Sequence, residues 1–400
     1  MQKLIPIRTL TEEELIAFAT ERCAEHYPAG SIIAQSGDCS DAACYLLSGE
    51  VEIADNTGQN YRVKADTPKA CFPLASGDRH MVAITATKNA QILKVSHRIM
   101  RSANFASRDA HECAITIPET LKESPLVTGF MDLFQQEKID IPTLPDIALR
   151  LRSAMREDIG IADAVKIIQL DPVIAAKLIK VANCPLYLSK MPAKSCLEAI
   201  NRIGLRATHT LVQLLTLKQI FKSSSPTLSQ LLNKLWQRSI FISCIAYVLA
   251  EHTGKIPPDE ALMAGLITDI GVIPLVNFAA NLPKEYVDTH ELTQAISALK
   301  GPVGVHILKC WAFSDDMINI PLNAQDWFHY SGPQLSLTDI VVLARLHSKI
   351  GTKTMAQLPA ISSIPAAAKL VSIELSPDCS LQILHEAKER IHQATRDFSA

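Results

Sequence analysis

Aromatic residues are scarce, with Phe, Tyr and Trp making up 5% of 400 residues. Charged residues are few as well, at 20%, and they nearly cancel to a formal net charge of −2. That balance, with no long basic run, excludes a bulk electrostatic drive toward nucleic acid or an anionic membrane. The ten cysteines form no CxxC pair and no close Cys/His set, which argues against zinc or iron–sulfur ligation. Scattered cysteine in a chain of this length behaves as a small buried apolar residue in a reducing compartment. The N-terminal stretch MQKLIPIRTLTEEE lacks the apolar core of a signal peptide. The most apolar stretch, 261–280, is broken by Asp269 and Pro274, so no membrane span is expected. A cytoplasmic location is the resulting expectation. Internal repeats and low-complexity segments are absent.

What the chain has is apolar material for packed cores, 48% of its residues, and length enough for two or three domains. Thr11 and Glu14 form a T-x-x-E capping box, with Leu10 placed to staple onto Leu15. From about Tyr27 to Val95 short apolar runs are split by turn residues, the texture of a compact β domain. Val51 and Ile53 alternate there with Glu50 and Glu52, as on a half-exposed strand. After Ser96 the pattern turns helical. The segment TIPETLKESP reads as a connector. Further on, Asp171 is an N-cap with Pro172 at the first helical position, and Ser195 with Glu198 makes a second capping box ahead of Gly204. Long apolar helices are expected from Leu231 to Glu251 and from Asp259 to Gly271, with later ones at 338–350 and 377–398. The expected division is a β domain at 1–115, a connector at 116–132, a helical domain at 133–330 and a helical extension at 331–400.

The ordered segments IPTLPDIALRL, LDPVIAAKLIKVANCPLYL, CLEAINRIGLRATHTLVQL, LWQRSIFISCIAYVLA and PDEALMAGLITDIGVIPL resemble the HDOD family, a non-catalytic relative of the HD phosphohydrolases. The resemblance covers roughly 133–330 and implies an all-α helical bundle. HD hydrolases hold a metal with His and Asp from separate helices, and the metal activates a water. Here the first His position falls at Gln237 or Arg238, and the His-Asp pair falls at Thr268-Asp269. An additional His of a binuclear site would fall near Lys300 or Pro302, and His306 lies on the wrong side of the pattern. Asp269 is therefore a vestigial metal position or a hydrogen-bonded core group. His209, His252 and His306 read as structural or solvated. The resemblance implies no catalytic residue, no metal and no cofactor.

The sequence YPAGSIIAQSGDCSDAACYLLSGEVEIAD resembles the first half of a cyclic nucleotide-binding domain, with Gly30, Gly37, Asp38, Gly49 and Glu50 at its strand turns. That implies a β jelly roll over about 18–101. Functional members use a Gly-rich helix N-terminus, a Glu for the ribose and an Arg for the cyclic phosphate. This chain reads KACFPLASGDRHMVAIT instead, with no such Glu, with His80 at the phosphate position and Arg79 beside it, and with Pro73 removing a backbone donor. Arg79 and His80 are anion-binding candidates. The competing reading is a degenerate pocket in a folded interaction or dimerisation module, which leaves a homodimer open.

These readings converge on a non-enzymatic regulatory protein of bacterial signal transduction, binding signalling proteins through its helical domain. The alternatives are an atypical metal-dependent phosphohydrolase or phosphodiesterase, and a nucleotide-binding switch. Expected contact surfaces are the helix at 196–203 with Arg202 and Arg206, and the amphipathic tail helix, whose Leu381, Leu384, Ile391 and Phe398 could instead pack back on the core. Leu170, Val173, Leu178, Ile179, Val181 and Leu205 lie at helical spacings that bury one face and are the expected core of the helical domain.

Overall fold

The computed structural model describes residues 4–7, 23–54, 60–97, 100, 117–141, 146–157, 159–184, 187, 191–221, 223, 225–283 and 287–370. The capping box at Thr11 and the tail helix expected at 377–398 lie outside them. The chain divides into two compact units, Met1–Ala114 with Asp326–Ile383, and Ile115–Gln325 with Leu384–Ala400.

The first unit holds strands β1 (Cys23–Tyr27), β2 (Ile32–Ala34), β3 (Ala42–Ser48), β4 (Glu50–Ala54), β5 (Asn60–Lys64), β6 (Ala83–Ala86) and β7 (Ala90–Ser96). They pair antiparallel in two sheets, in the orders β1-β7-β3 and β2-β6-β4-β5. The chain changes sheet at Gly49, whose φ is +88° and where a Cβ would stand 2.2 Å from the Asn89 carbonyl oxygen. Only glycine fits that crossing. No closed barrel forms among the described strands, so the jelly-roll expectation reduces to a small β-sheet region of two open sheets.

Period-two alternation divides the core. Cys44, Leu46 and Ile92 join Val51, Ile53 and Ile84 in one cluster, while Ala43, Tyr45, Leu93 and Val95 face a second with Leu4 and Ile7. Both faces of β3 are therefore covered from Ala43 to Leu46, which explains why that run is continuously apolar. Glu50 breaks the expected alternation. It is buried and paired with Lys88 at 3.0 Å, and that ammonium holds its carboxyl below the ordinary value.

The second unit is helical: α1 (Pro125–Gln135), α2 (Asp146–Arg156), α3 (Ile161–Ile168), α4 (Pro172–Ala182), α5 (Cys196–Ile203), α6 (Leu205–Leu217), α7 (Pro226–Thr253), α8 (Pro258–Ile267), α9 (Val272–Asn281), α10 (Thr289–Cys310), α11 (Asp315–Ile318) and α12 (Ile320–Asn323). The stretch expected as a connector already belongs to it, because Ser124 caps α1 and Gly129 packs on Phe278 of α9. Asp171 caps α4 as the sequence predicts, accepting from the N–H groups of Val173 and Ile174. Ser195 caps Glu198, but the Glu198 carboxylate accepts from Lys194 N–H, one residue before the box position. Helix α8 lies so close to α7 that a Cβ on Gly265 would stand 2.5 Å from Ser243 Cα. A Cβ on Gly271 would stand 2.0 Å from the Lys300 carbonyl oxygen, so α10 crosses directly over the α8–α9 turn. The segment Pro258–Asn281 is long and apolar enough to cross a membrane, and 89% of its most apolar window is buried inside the protein. Core packing accounts for its composition.

The expected helical extension at 331–400 divides differently. Residues from Asp326 return to the β unit, and the expected helix at 338–350 forms as α13 (Leu337–His347) with α14 (Pro365–Ala368) after it.

Candidate functional site

Asp269 sits just after α8 and is 1% exposed, and the crossing at Gly271 brings α10 against it. Lys300 Nζ reaches Asp269 Oδ1 at 2.7 Å, with the lysine side chain 12% exposed. An ammonium thus rests on the one carboxylate that a metal would need. Arg238, projecting from α7, lines the same cavity, which has a volume of about 980 Å³. Gln237 is exposed and does not line it, so of the two candidates Arg238 is the one that faces the cavity. Thr268 is buried and donates its hydroxyl hydrogen to Ala264 O at 3.0 Å, one turn back along α8.

The remaining histidines do not join this group. His252 is exposed in the last turn of α7. His306 lies edge-on to Phe134, with ring centroids 5.4 Å apart, and Pro302 is inside α10 and away from the cavity wall. Among the described residues, Asp269 is the only carboxylate lining the cavity, no imidazole lines it, and no cluster of three or more His, Cys, Asp or Glu with metal-holding geometry occurs. One carboxylate already neutralised by an ammonium does not fit a catalytic divalent cation.

The candidate anion site of the β unit is arranged otherwise. Arg79 is exposed and pairs as an isolated bridge with Cys39, while His80 is half-buried and its backbone N–H donates to Asp38 O at 2.9 Å. Burial pushes the His80 imidazole pKa down, against the smaller upward pull of Asp38. A neutral imidazole is a poor phosphate partner. The loop leading to these residues is packed upon by the returning chain. Phe72 stacks on Phe328 at 6.3 Å, Ser76 Oγ donates to Ser363 O, and a Cβ on Gly77 would meet the Ala368 Cβ at 2.8 Å.

Three arrangements escaped sequence reasoning. The resemblance places Lys300 near a further His position, but it does not foresee the ion pair with Asp269. Tyr187 donates to Asp259 Oδ1 at 2.7 Å, and burial raises the pKa of both groups. Lys369 Nζ, 8% exposed at its side chain, binds Asp339 at 2.9 Å and Ser331 Oγ at 2.7 Å.

With the geometry in place, the family model for the HDOD domain matches residues 141–326. The matched stretch is a little under half of the chain. The chain resembles a crystal structure from Shewanella amazonensis SB2B whose name proposes a metal-dependent phosphohydrolase. That match has 22% identity and a TM-score of 0.59, and covers 68% of this chain and 98% of the other. A Marinobacter aquaeolei VT8 structure whose name proposes a signal transduction protein matches at 16% identity and TM-score 0.51, covering 79% and 76%. Identities this low establish the HDOD fold and nothing about activity. An uncharacterized protein of Treponema pallidum (strain Nichols) is 24% identical over 195 residues, 45% of this chain. The chain spans 36% of the length of that curated relative. Cyclic nucleotide-binding-like structures overlap only about a quarter of the chain, at a TM-score of 0.21 that carries no argument about the fold.

Proposed function

We propose that this chain is a non-enzymatic regulatory protein of signal transduction, in which the HDOD domain is a platform for signalling proteins. The observation that carries the reading is the Lys300 ammonium on Asp269 at 2.7 Å. It supplies by a fixed side chain the positive charge that a hydrolase draws from a metal, and an ammonium neither binds a water as a Lewis acid nor lowers its pKa. The buried pair keeps the bundle folded where a ligand set has been lost.

Exposed apolar side chains support the platform reading. Leu170 and Val173, expected inside, are 66% and 59% exposed, and Met191 and Leu197 on the neighbouring loop and α5 are exposed too. Apolar surface of this kind, gathered on adjacent elements, suits a protein partner. We read the β unit as a degenerate cyclic nucleotide-binding-like jelly roll whose cassette loop serves as a seat for residues 326–370. A cytoplasmic location goes with this reading.

Activity is the decisive test. Full-length protein is assayed against cyclic mono- and dinucleotides with manganese, iron or nickel, and no turnover above buffer is expected. Metal-dependent turnover that disappears in Asp269→Ala sinks the non-enzymatic reading.

A further inference from the structure

The cavity beside Asp269 has a use that protein docking leaves unaccounted for. Its volume of about 980 Å³ lies within the range of roughly 300–1,000 Å³ typical of small-molecule sites. Part of its wall is aliphatic, with Leu228, Leu231 and Leu235 from α7 and Val272, Leu292 and Ile296, while Gln230, Thr289 and Thr293 add neutral polar groups. Among the described residues no aromatic side chain lines it. Lys234 and Arg238, one helical turn apart on α7, stand at the wall, and Lys300 is the third cation. Asp269 neutralises Lys300, so two cations remain with no carboxylate among the lining residues to balance them. Arg238 Nε is buried and makes no hydrogen bond among the described residues. A buried donor of this kind calls for an acceptor, and the open cavity is where one can enter.

We propose that this cavity binds an aliphatic anion, an acyl or alkyl chain ending in a carboxylate or phosphate, with the head group on Arg238 and Lys234 and the chain along the leucine wall. The guanidinium fork suits either head group. Nucleotides are the poorer fit, because base recognition leans on aromatic stacking platforms and the described lining residues include none. The site stands independently of the protein-platform reading: loss of one leaves the other intact.

The test is calorimetric titration of the full-length chain with decanoate and with decyl phosphate, both below micellar concentration, with decanol and AMP as comparators. At least one of the two anions binds, and decanol and AMP bind at least about tenfold more weakly. Lys234→Gln with Arg238→Gln weakens the anion about tenfold or more, the loss expected for charge-assisted hydrogen bonds. Ile296→Trp fills the cavity from α10 without touching a charge and abolishes binding of the anion and of decanol alike. Circular dichroism confirms that each variant is folded. Failure of both anions to bind wild type, equal binding by the Lys234/Arg238 variant, or preference for AMP overturns the proposal.

Discussion

Asp269 and Lys300 show how much one buried charge depends on its partner. Removing one member of a buried ion pair strands the other, at a cost of about 3–5 kcal/mol when the pair is fully dry. Lys300 keeps 12% of its side chain in solvent, so Lys300→Met is expected near the lower end, about 3 kcal/mol, read from the urea unfolding midpoint. Asp269→Leu combined with Lys300→Met recovers most of that loss, because no charge is left unpaired. A single variant as stable as wild type contradicts the pair's structural role. His347 gives a second residue-level prediction. It is buried at the end of α13, with Nδ1–H donating to Leu343 O at 2.7 Å, and burial pushes its pKa down more than that carbonyl raises it. The unfolded chain takes up the proton near pH 6.5, which the folded chain resists until lower pH. Its contribution is therefore whole above about pH 6.5 and declines as pH falls below that value, with His80 acting in the same sense. Comparing urea midpoints at pH 7.5 and 5.5 checks this, and His347→Gln flattens the difference.

At the scale of elements, Arg202 is a clamp. Nη1 donates to Ala182 O at 3.0 Å and to Asn183 Oδ1 at 2.8 Å, and Nη2 donates to Met191 O. Asn183 in turn holds Ala193 through both its amide groups, at 2.6 and 2.9 Å. This network ties the end of α4 to the approach of α5, so the guanidinium expected at a partner surface is spent inside the unit. Arg206 is the exposed one. Charge-assisted hydrogen bonds contribute about 1.5–3 kcal/mol each, less where solvent reaches. We expect Arg202→Glu to destabilise the helical unit by about 2 kcal/mol in urea, and Arg206→Glu to stay within about 0.5 kcal/mol of wild type. Equal effects of the two substitutions would refute the clamp.

For the whole molecule, the consequential fact is that the β unit is built from two distant pieces of chain. Phe72, Leu74 and Ala75 are buried, with Phe328, Ser363 and Ala368 packed against their loop. Uncovering a buried side chain the size of Phe costs about 1.5–3 kcal/mol. The returning segment is pinned by the Lys369–Asp339 pair and by the Ser336 capping box at the start of α13. A fragment of residues 1–124 is therefore expected to be insoluble or to lack a cooperative unfolding transition, and co-expression with residues 326–400 restores one. A cooperative, soluble 1–124 fragment would show that the returning segment is dispensable.

Some of this was legible in the sequence because the interactions concerned are local. Asp171 capping α4, Ser195 accepting from Glu198 N–H and Gly49 turning with positive φ each involve a handful of adjacent residues. Any fold that contains those helices and that turn meets them in the same way. The absence of imidazoles at the metal positions could likewise be read from the ordered helical segments alone. The sequence by itself thus determined a helical unit with an altered site, a β unit ahead of it and the caps that begin its helices. Only the tertiary structure decided which charged side chain faces Asp269, since Lys300 lies 31 residues away and arrives through the helix crossing at Gly271. It chose Arg238 over Gln237 for the cavity wall and turned Leu170 and Val173 outward, because helical periodicity gives a face but not what covers it. It also sent residues from Asp326 back to the β unit, a pairing across nearly three hundred residues that rests on packing and leaves no periodic trace in either segment.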